Sequence, residues 1–163
     1  MRRKDREVTE HSQLLEILDK YMVCTIALHD EPFPYIVPMN YGYEEKDGEI
    51  TIYLHCAKEG QKMDLLRKNP AIGFEIDGGH GLIGNEEKFV YSYTYESIIG
   101  AGFAKVIEDE SEKKEALCAF MKHQTGKTFT EIPQAAFNAV TMIAVSVKKL
   151  SGKRNLGKDK KYE

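Results

Sequence analysis

Apolar and polar residues alternate with a period of two along much of this 163-residue chain. Such alternation is typical of half-buried β-strands. It predicts strands over Met22–His29, Tyr35–Tyr43, Glu49–His55, Ala71–Ile76, Phe89–Ile107 and Val140–Leu150. The pair Asp47-Gly48 predicts a hairpin turn between the second and third strands. About six strands with mostly short connections favour a mainly β fold, a small antiparallel barrel or rolled sheet.

A few segments follow the helical period instead. Helices are predicted around Leu14–Tyr21, over Glu59–Arg67, over Asp109–His123 and, briefly, over Pro133–Asn138. Thr9 or Ser12 is expected to cap the first helix, and Asp109 has N-cap spacing to Glu112 in the third. These helices are too few and too unevenly spaced for a doubly wound α/β fold, so we expect them to flank the barrel.

Three polar segments complete the chain. Residues 1–8 are expected to lie extended on the surface, and residues 151–163 to form a polar, basic tail. Residues 78–88 are rich in glycine and are predicted to be a loop, because they lack the glycine spacing of a phosphate-binding motif. The length predicts one domain over residues 1–163, large enough to bury a core.

The charge is unevenly distributed. The net charge is −3, but residues 1–7 carry +2 and residues 153–163 carry +3, which leaves −8 on residues 8–152. Basic ends on an acidic body suit an anionic ligand or a nucleic acid. Because no nucleic-acid-binding motif accompanies them, solvated ends are the favoured interpretation and no nucleic-acid partner is predicted.

The cysteines and the N-terminus bear on the compartment. Cys24, Cys56 and Cys118 are odd in number, widely spaced and form no CxxC pair. Neither a disulfide framework nor a metal site is therefore predicted, and reduced thiols fit a cytoplasmic protein. No apolar segment follows the basic N-terminal residues as in a secretory signal, and no apolar run reaches membrane-spanning length. We expect no membrane association.

The stretch from Tyr35 to Lys62 carries the candidate chemistry. A strand ends at His55, and Gly60 and Lys62 lie where a helix begins. A helix start offers free N–H groups and the positive end of a dipole, so it suits a phosphate, and Lys62 adds charge. Taken alone, this Lys is more often a solvated residue and His55 more often a structural one. Physical reasoning from these residues leaves both interpretations open.

The same stretch resembles a known family. The series YIVPMNYGY and DGEITIYLHCAKEGQKMDLLRKNPAIGFEI resembles the pyridoxamine 5'-phosphate oxidase-like FMN-binding split barrels, and within them the nitroimidazole-resistance branch. The opening MRRKDREVTE, the later YESIIGAGFAKVIEDESEKKEAL and the final KKLSGKRN also resemble that branch, in the same order. The resemblance implies a six-stranded antiparallel split barrel that forms a homodimer with FMN, or sometimes another flavin such as FAD, in two clefts at the subunit interface.

The resemblance also implies a set of site residues. By matching positions, the isoalloxazine ring, the ribityl chain and the phosphate would be held by Pro38, Met39, Asn40, Tyr41, His55, Cys56, Ala57, Gly60 and Lys62. From the second subunit, Ser97, Ile99 and Lys153 would close the cleft. A flavin requires a concave, mostly apolar slot with a few polar groups, and a positive charge near the ring tunes its potential.

The expected function is therefore that of a flavin-dependent reductase. NAD(P)H would supply electrons, and a small nitroaromatic or quinone-like compound would receive them, with His55 as a candidate proton or hydrogen-bond donor. The alternatives are a non-catalytic flavin-binding sensor or carrier, a haem-binding split barrel with His80 or His123 as ligand, and an oxidase of pyridoxamine phosphate. For that oxidase, only Lys153 and Arg154 are available to hold a second phosphate.

Overall fold

A computed structural model describes residues 3–157 of the chain. Its elements are a 3₁₀ turn (Lys4–Arg6), β1 (Glu7–Val8), α1 (His11–Lys20), β2 (Val23–Leu28), β3 (Tyr35–Lys46), β4 (Glu49–Cys56), α2 (Gln61–Lys68), β5 (Ala71–Asn85), β6 (Val90–Val106), α3 (Glu110–Thr125), α4 (Gln134–Ala139) and β7 (Thr141–Asn155). All strand pairs are antiparallel.

Six long strands close into a barrel. They follow the order β7–β4–β3–β2–β5–β6, and β6 pairs back onto β7. The two-residue strand β1 adds to β7, where Glu7 lies opposite Lys153. The alternating apolar residues point inward and make the main core, for example Ile26, Ile52 and Ile143. The predicted mainly β, six-stranded split barrel is confirmed.

A second, smaller core lies outside the barrel. Helix α3 packs on the outer faces of β3, β4 and β7, and its buried residues with their neighbours are Ile107, Ala116, Leu117, Phe120 and Met142. Gly42 on β3 permits this close approach, because an added Cβ would lie 2.3 Å from the Phe120 Cα. Asp109 caps α3 as predicted, its carboxylate accepting a 2.8 Å hydrogen bond from the Glu112 N–H.

Two local predictions need correction. Residues 78–88 are not simply a loop, because β5 continues to Asn85 through an irregularity between Gly78 and Gly81. Neither Thr9 nor Ser12 caps α1, since the N-cap residue is Glu10 and its side chain makes no capping hydrogen bond.

The ends of the chain are also more ordered than predicted. Residues 4–8 form a 3₁₀ turn and β1, and Val8 is buried rather than part of a wholly exposed segment. Residues 151–155 belong to β7, so the predicted tail begins only after Asn155. Residues 158–163 of that tail lie outside the described part of the chain.

Candidate functional site

The barrel is split where β3 changes partner. Strand β3 pairs with β2 through residues 35–40 and with β4 from Tyr41 onward. Leu54 is the last β4 residue in that ladder, so His55 and Cys56 diverge from β3. Among the described residues, no strand pairs with the second edge of residues 35–40. Backbone polar groups along this edge are therefore available to a ligand.

Lys62 reaches across the split from α2. Its Nζ donates a 3.1 Å hydrogen bond to the Sδ of Met39 on β3. A thioether is a weak acceptor, so this contact satisfies an ammonium poorly. The positive charge of Lys62 therefore lies at the gap between α2 and β3 with little to neutralise it, which favours an anionic ligand group.

His55 has an incompletely satisfied ring. The ring packs edge-on against Phe120, with 4.8 Å between ring centroids. Its Nδ1 is buried, and none of the described residues hydrogen-bonds to that atom. Burial, together with the nearby charge of Lys62, lowers the pKa of His55. The imidazole is therefore neutral near pH 7, which suits a hydrogen-bonding group more than a store of a proton.

The chain between β4 and α2 completes this side of the split. Cys56 Sγ lies 3.5 Å from Met63 Sδ, and Ala57 is exposed. Gly60 precedes α2 with a φ of 125°, a conformation that a residue with a side chain rarely adopts. Because α2 begins at Gln61, the first N–H groups of the helix lack intrahelical acceptors.

The four predicted residues of β3 do not share one face. Pro38 and Asn40 are exposed on the outer surface, whereas Met39 and Tyr41 point into the barrel. The Tyr41 hydroxyl donates to the carbonyl oxygen of Leu18 at 2.7 Å. The Asn40 amide donates to the Met22 carbonyl at 3.2 Å. Met39 touches Lys62, but Tyr41 can meet a ligand outside the barrel only through its backbone.

The other three predicted residues lie elsewhere on the same outer surface. Ser97 and Ile99 project outward from β6, and Ser97 pairs with Lys153 of β7. Pro38 and Ile99 are separated by β2 and β5, a distance of about 14 Å at the usual strand spacing. A single chain therefore brings together the residues from Pro38 to Lys62, but not these three.

Two charged or polar groups near this set escaped the sequence prediction. Glu75 lies between Thr25 and Ile99 on the outer face, and burial, with the carboxylate of Asp77, raises the pKa of Glu75. The hydroxyl of Tyr95 lies 3.5 Å from Arg6 Nη1. Alternation alone would have found Glu75, because its neighbours Phe74 and Ile76 are buried.

Lys153 also contacts Tyr95, its Nζ lying 5.4 Å from the ring centroid. Although burial opposes it, hydrogen bonds from Arg6 and Lys153 lower the pKa of Tyr95. No sequence pattern linked these three residues, which come from three separate elements.

The histidines named as haem ligands are both engaged. His123 has Nδ1 2.7 Å from the Tyr41 carbonyl oxygen and Nε2 2.9 Å from that of Leu18. Neither ring nitrogen of His123 is therefore free to ligate iron. His80 Nε2 lies 2.7 Å from a carboxylate oxygen of Asp77.

Arg154, named for a second phosphate, is also occupied. It pairs with Glu16 at 3.0 Å and with the buried carboxylate of Glu96 at 2.6 Å. Burial disfavours ionisation of Glu96, but hydrogen bonds from Lys20 and Tyr21 and the charge of Arg154 hold its pKa below the usual range. Arg154 thus serves a buried ion-pair network.

A cavity of about 820 Å³ elsewhere in the described part of the chain contains none of the predicted flavin-binding residues. It lies between α1, β3 and α3 and includes Tyr43 and His123. No described group of three or more His, Cys, Asp or Glu residues has the arrangement of a metal site. At the split, by contrast, Lys62 and the buried Nδ1 of His55 have few or no hydrogen-bond partners among the described residues.

The strand order and the split define a split-barrel fold, and comparison with known proteins shows the family to which the chain belongs. The model of the pyridoxamine 5'-phosphate oxidase family matches residues 10–154, so the chain belongs to this family. The crystal structure of a candidate 5-nitroimidazole antibiotic resistance protein from Bacteroides thetaiotaomicron VPI-5482 is similar, with 32% identity and a TM-score of 0.78. That match covers 91% of this chain and 86% of the other. The resemblance to the nitroimidazole-resistance branch is confirmed.

More distant structures share the fold. The flavocytochrome Anf3 from Azotobacter vinelandii has 18% identity and a TM-score of 0.76, over 96% of this chain and 72% of that one. An FAD- and haem-binding protein from Mycobacterium smegmatis has 18% identity and a TM-score of 0.74, over 93% and 74%. No curated protein matches the sequence. Within the described residues, no helix is long and apolar enough to cross a membrane.

Proposed function

We propose that the chain binds a flavin, FMN in the first instance, at the split of the barrel. The observation that carries this proposal is a pair of poorly satisfied groups there. Among the described residues, Lys62 donates to a thioether, and the buried Nδ1 of His55 has no hydrogen-bond partner. A flavin mononucleotide offers a phosphate for the first and ring or ribityl oxygens for the second. The similar nitroimidazole-resistance structure and the flavin-binding neighbours support the same assignment.

Each group would have a distinct role. Lys62 and the first N–H groups of α2 would bind the phosphate, and the open edge of residues 35–40 would orient the ring through backbone hydrogen bonds. A bound flavin would supply hydride-transfer chemistry between NAD(P)H and an acceptor. His55 would donate a hydrogen bond to flavin or acceptor in its neutral form.

The proposed acceptor is a small nitroaromatic or quinone-like compound, and the proposed assembly is a homodimer. In one chain Ser97 and Ile99 lie three strands from Pro38, and Lys153 lies on the next strand, so all three would reach the cleft from a second copy. Two copies would then form two equivalent clefts. Both ring nitrogens of His123 lie at backbone carbonyl oxygens, which argues against His123 as a haem ligand.

Titration of the purified protein with FMN tests the cofactor assignment. Lys62→Ala should weaken binding by about 1.5–3 kcal/mol, because a charge-assisted contact is lost. Lys58→Ala is the matched control, since Lys58 is exposed and precedes the helix. Equal affinities of the Lys62 and Lys58 variants would remove Lys62 from the site. Turnover of NAD(P)H with a nitro acceptor then separates a reductase from a flavin-binding sensor or carrier.

A further inference from the structure

The β5–β6 hairpin extends beyond the barrel as a two-stranded arm. Strand β5 pairs with β2 only as far as Glu75, and β6 pairs with β7 only from Tyr95 onward. Residues 81–85 and 90–94 pair only with each other among the described residues. We call residues 81–94 the arm. An isolated two-stranded ribbon is marginally stable in water, so the arm gains stability if something packs against it.

One face of the arm is apolar and exposed. Leu82 lies opposite Tyr93, and the Tyr91 ring lies over Gly84, all on one side of the ribbon. Phe89 at the turn is 87% exposed and contacts Tyr91 edge-on, with 6.0 Å between centroids. A contiguous row of exposed aromatic residues is more typical of an interaction surface than of a surface that faces solvent.

The other face of the arm is partly covered from within the chain. Gly157 lies against Ile83 and Thr94, and a Cβ built on it would be 3.3 Å from each of their side chains. The aromatic face therefore remains the open one.

This aromatic row continues along β6 on the barrel. The outward positions of β6 follow a period of two, from Tyr91 through Tyr93, Tyr95, Ser97, Ile99 and Ala101 to Phe103. We call this row the β6 stripe. Its middle contains Ser97 and Ile99, which are proposed to face a second copy. The arm is thus continuous with the proposed dimer surface.

The two ends of the β6 stripe differ in shape and charge. At the arm end, the turn carries Glu86 and Glu87, which outnumber Lys88, and the projecting Phe89. At the opposite end is a depression of about 330 Å³. It is lined by Ala71, Ile72, Gly73, Ala101, Gly102, Phe103, Lys148 and Lys149. One end is an acidic projection with an aromatic tip, and the other is an apolar depression with a basic rim.

We propose that each arm docks on the opposite end of the β6 stripe of a second copy of this chain. Phe89 and Tyr91 occupy the depression, and Glu86 and Glu87 approach Lys148 and Lys149. A twofold axis brings a surface onto itself, so unlike ends of one stripe meet when two stripes run antiparallel. The span from Phe89 at the tip of the arm to Phe103 at the far end of the stripe is roughly 46 Å, and its midpoint lies beside Ser97. The proposal rests on the homodimer of the proposed function.

Sedimentation equilibrium of the full chain gives the dimer dissociation constant and tests this docking. The variant Phe89→Ser with Tyr91→Ser removes the aromatic contact and should raise that constant at least tenfold. A charge reversal, Glu86→Lys with Glu87→Lys, should weaken the dimer as well. Combining it with Lys148→Glu and Lys149→Glu should restore association, because the charges then match again. Glu108→Lys with Glu131→Lys is the matched control, since both residues are exposed and lie off the stripe.

Each failure has its own signature. A dimer whose dissociation constant is unchanged in the aromatic and charge-reversal variants overturns the arm docking and leaves the proposed homodimer intact. A wild-type chain that is monomeric at all concentrations overturns the homodimer and the docking together. Far-UV circular dichroism and thermal unfolding show whether a variant still folds. If the variant with only Glu86→Lys and Glu87→Lys does not fold, the charge-restored combination still tests the docking. Flavin titration of the same samples reports separately on the cofactor proposal.

Discussion

The outer surface of the barrel has two halves. In both, outward-facing residues alternate with buried ones along the strands. Over β4 and the adjoining parts of β3 and β7, helix α3 covers the outward residues, and Phe120 and Met142 are buried there. Over β2, β5 and β6, no described element covers them, so Ile99 is 61% and Phe103 56% exposed. We call these the covered half and the bare half.

The difference lies in connectivity rather than in strand sequence. The link from β6 to β7 contains α3 and supplies a layer for the covered half. The bare half receives no such layer, yet it retains apolar side chains whose removal from water would lower the free energy. The split, with Lys62 and His55, lies where the two halves meet. A partner that covered the bare half would therefore also form one side of the candidate site.

The largest expected difference in stability is between two variants, each of which lacks one aromatic side chain from one half. Phe120→Ala should lower the free energy of unfolding by about 3–5 kcal/mol, because it leaves a cavity under α3. Phe103→Ala should change the stability of an isolated chain by less than about 0.5 kcal/mol, because its side chain is already in water. Urea unfolding measures the free energy of unfolding of both variants. A range of protein concentrations is needed, because dimer formation adds a concentration-dependent contribution to that free energy.

If Phe103→Ala were as damaging as Phe120→Ala at every concentration, the distinction between the halves would be wrong. A Phe103→Ala effect that grows with concentration would instead show that the bare half is covered by a second copy.

Two glycines sharpen the comparison. Gly42→Ala forces a methyl group to within 2.3 Å of the Phe120 backbone and should cost about 1–3 kcal/mol through displacement of α3. Gly73→Ala on the bare half is the matched change, because the nearest atoms to its added Cβ are 4.0 Å away. We expect Gly73→Ala to leave the unfolding midpoint of the isolated chain equal to that of the wild type within experimental error, whereas Gly42→Ala lowers it. Equal losses in thermal unfolding would contradict the assignment of Gly42 as the contact point of α3.

Local patterns predicted the barrel well. Alternation located the six long strands, and the Asp47-Gly48 turn and the Asp109 cap formed as expected, because these signals act over a few residues. The arm was missed because its glycines resemble loop residues. In the structure, Gly84 of the arm and Gly78 just before it allow aromatic rings to approach β5 closely. A Cβ on Gly78 would overlap Tyr21 at 2.1 Å, and one on Gly84 would overlap Tyr91 at 2.5 Å.

The candidate site shows a similar limit. The family resemblance selected Lys62 and His55, and helix-start physics explained Lys62, but neither shows which β3 side chains face outward. Counting the alternation from the buried Tyr41 would have placed Met39 inside with it and left Pro38 and Asn40 outside. His55 packs against Phe120, which is distant in sequence, and its Nδ1 is buried without a described partner, so only the fold reveals this environment.

The smallest effect concerns the protonation of His55 at the boundary between the halves. Burial and the charge of Lys62 lower the pKa of His55, so its titration by NMR should fall below the ordinary value of about 6.5. Lys62→Met should move that pKa upward, whereas Lys58→Met, which removes an exposed charge nearby, should not. Because the unfolded chain binds this proton more readily, the stability that neutral His55 contributes is present above about pH 6.5 and is lost as the pH falls toward the folded pKa. His55→Gln should flatten that part of the stability profile. A pKa at or above the ordinary value would mean that the covered half leaves His55 open to water, and that its Nδ1 needs no ligand to satisfy it.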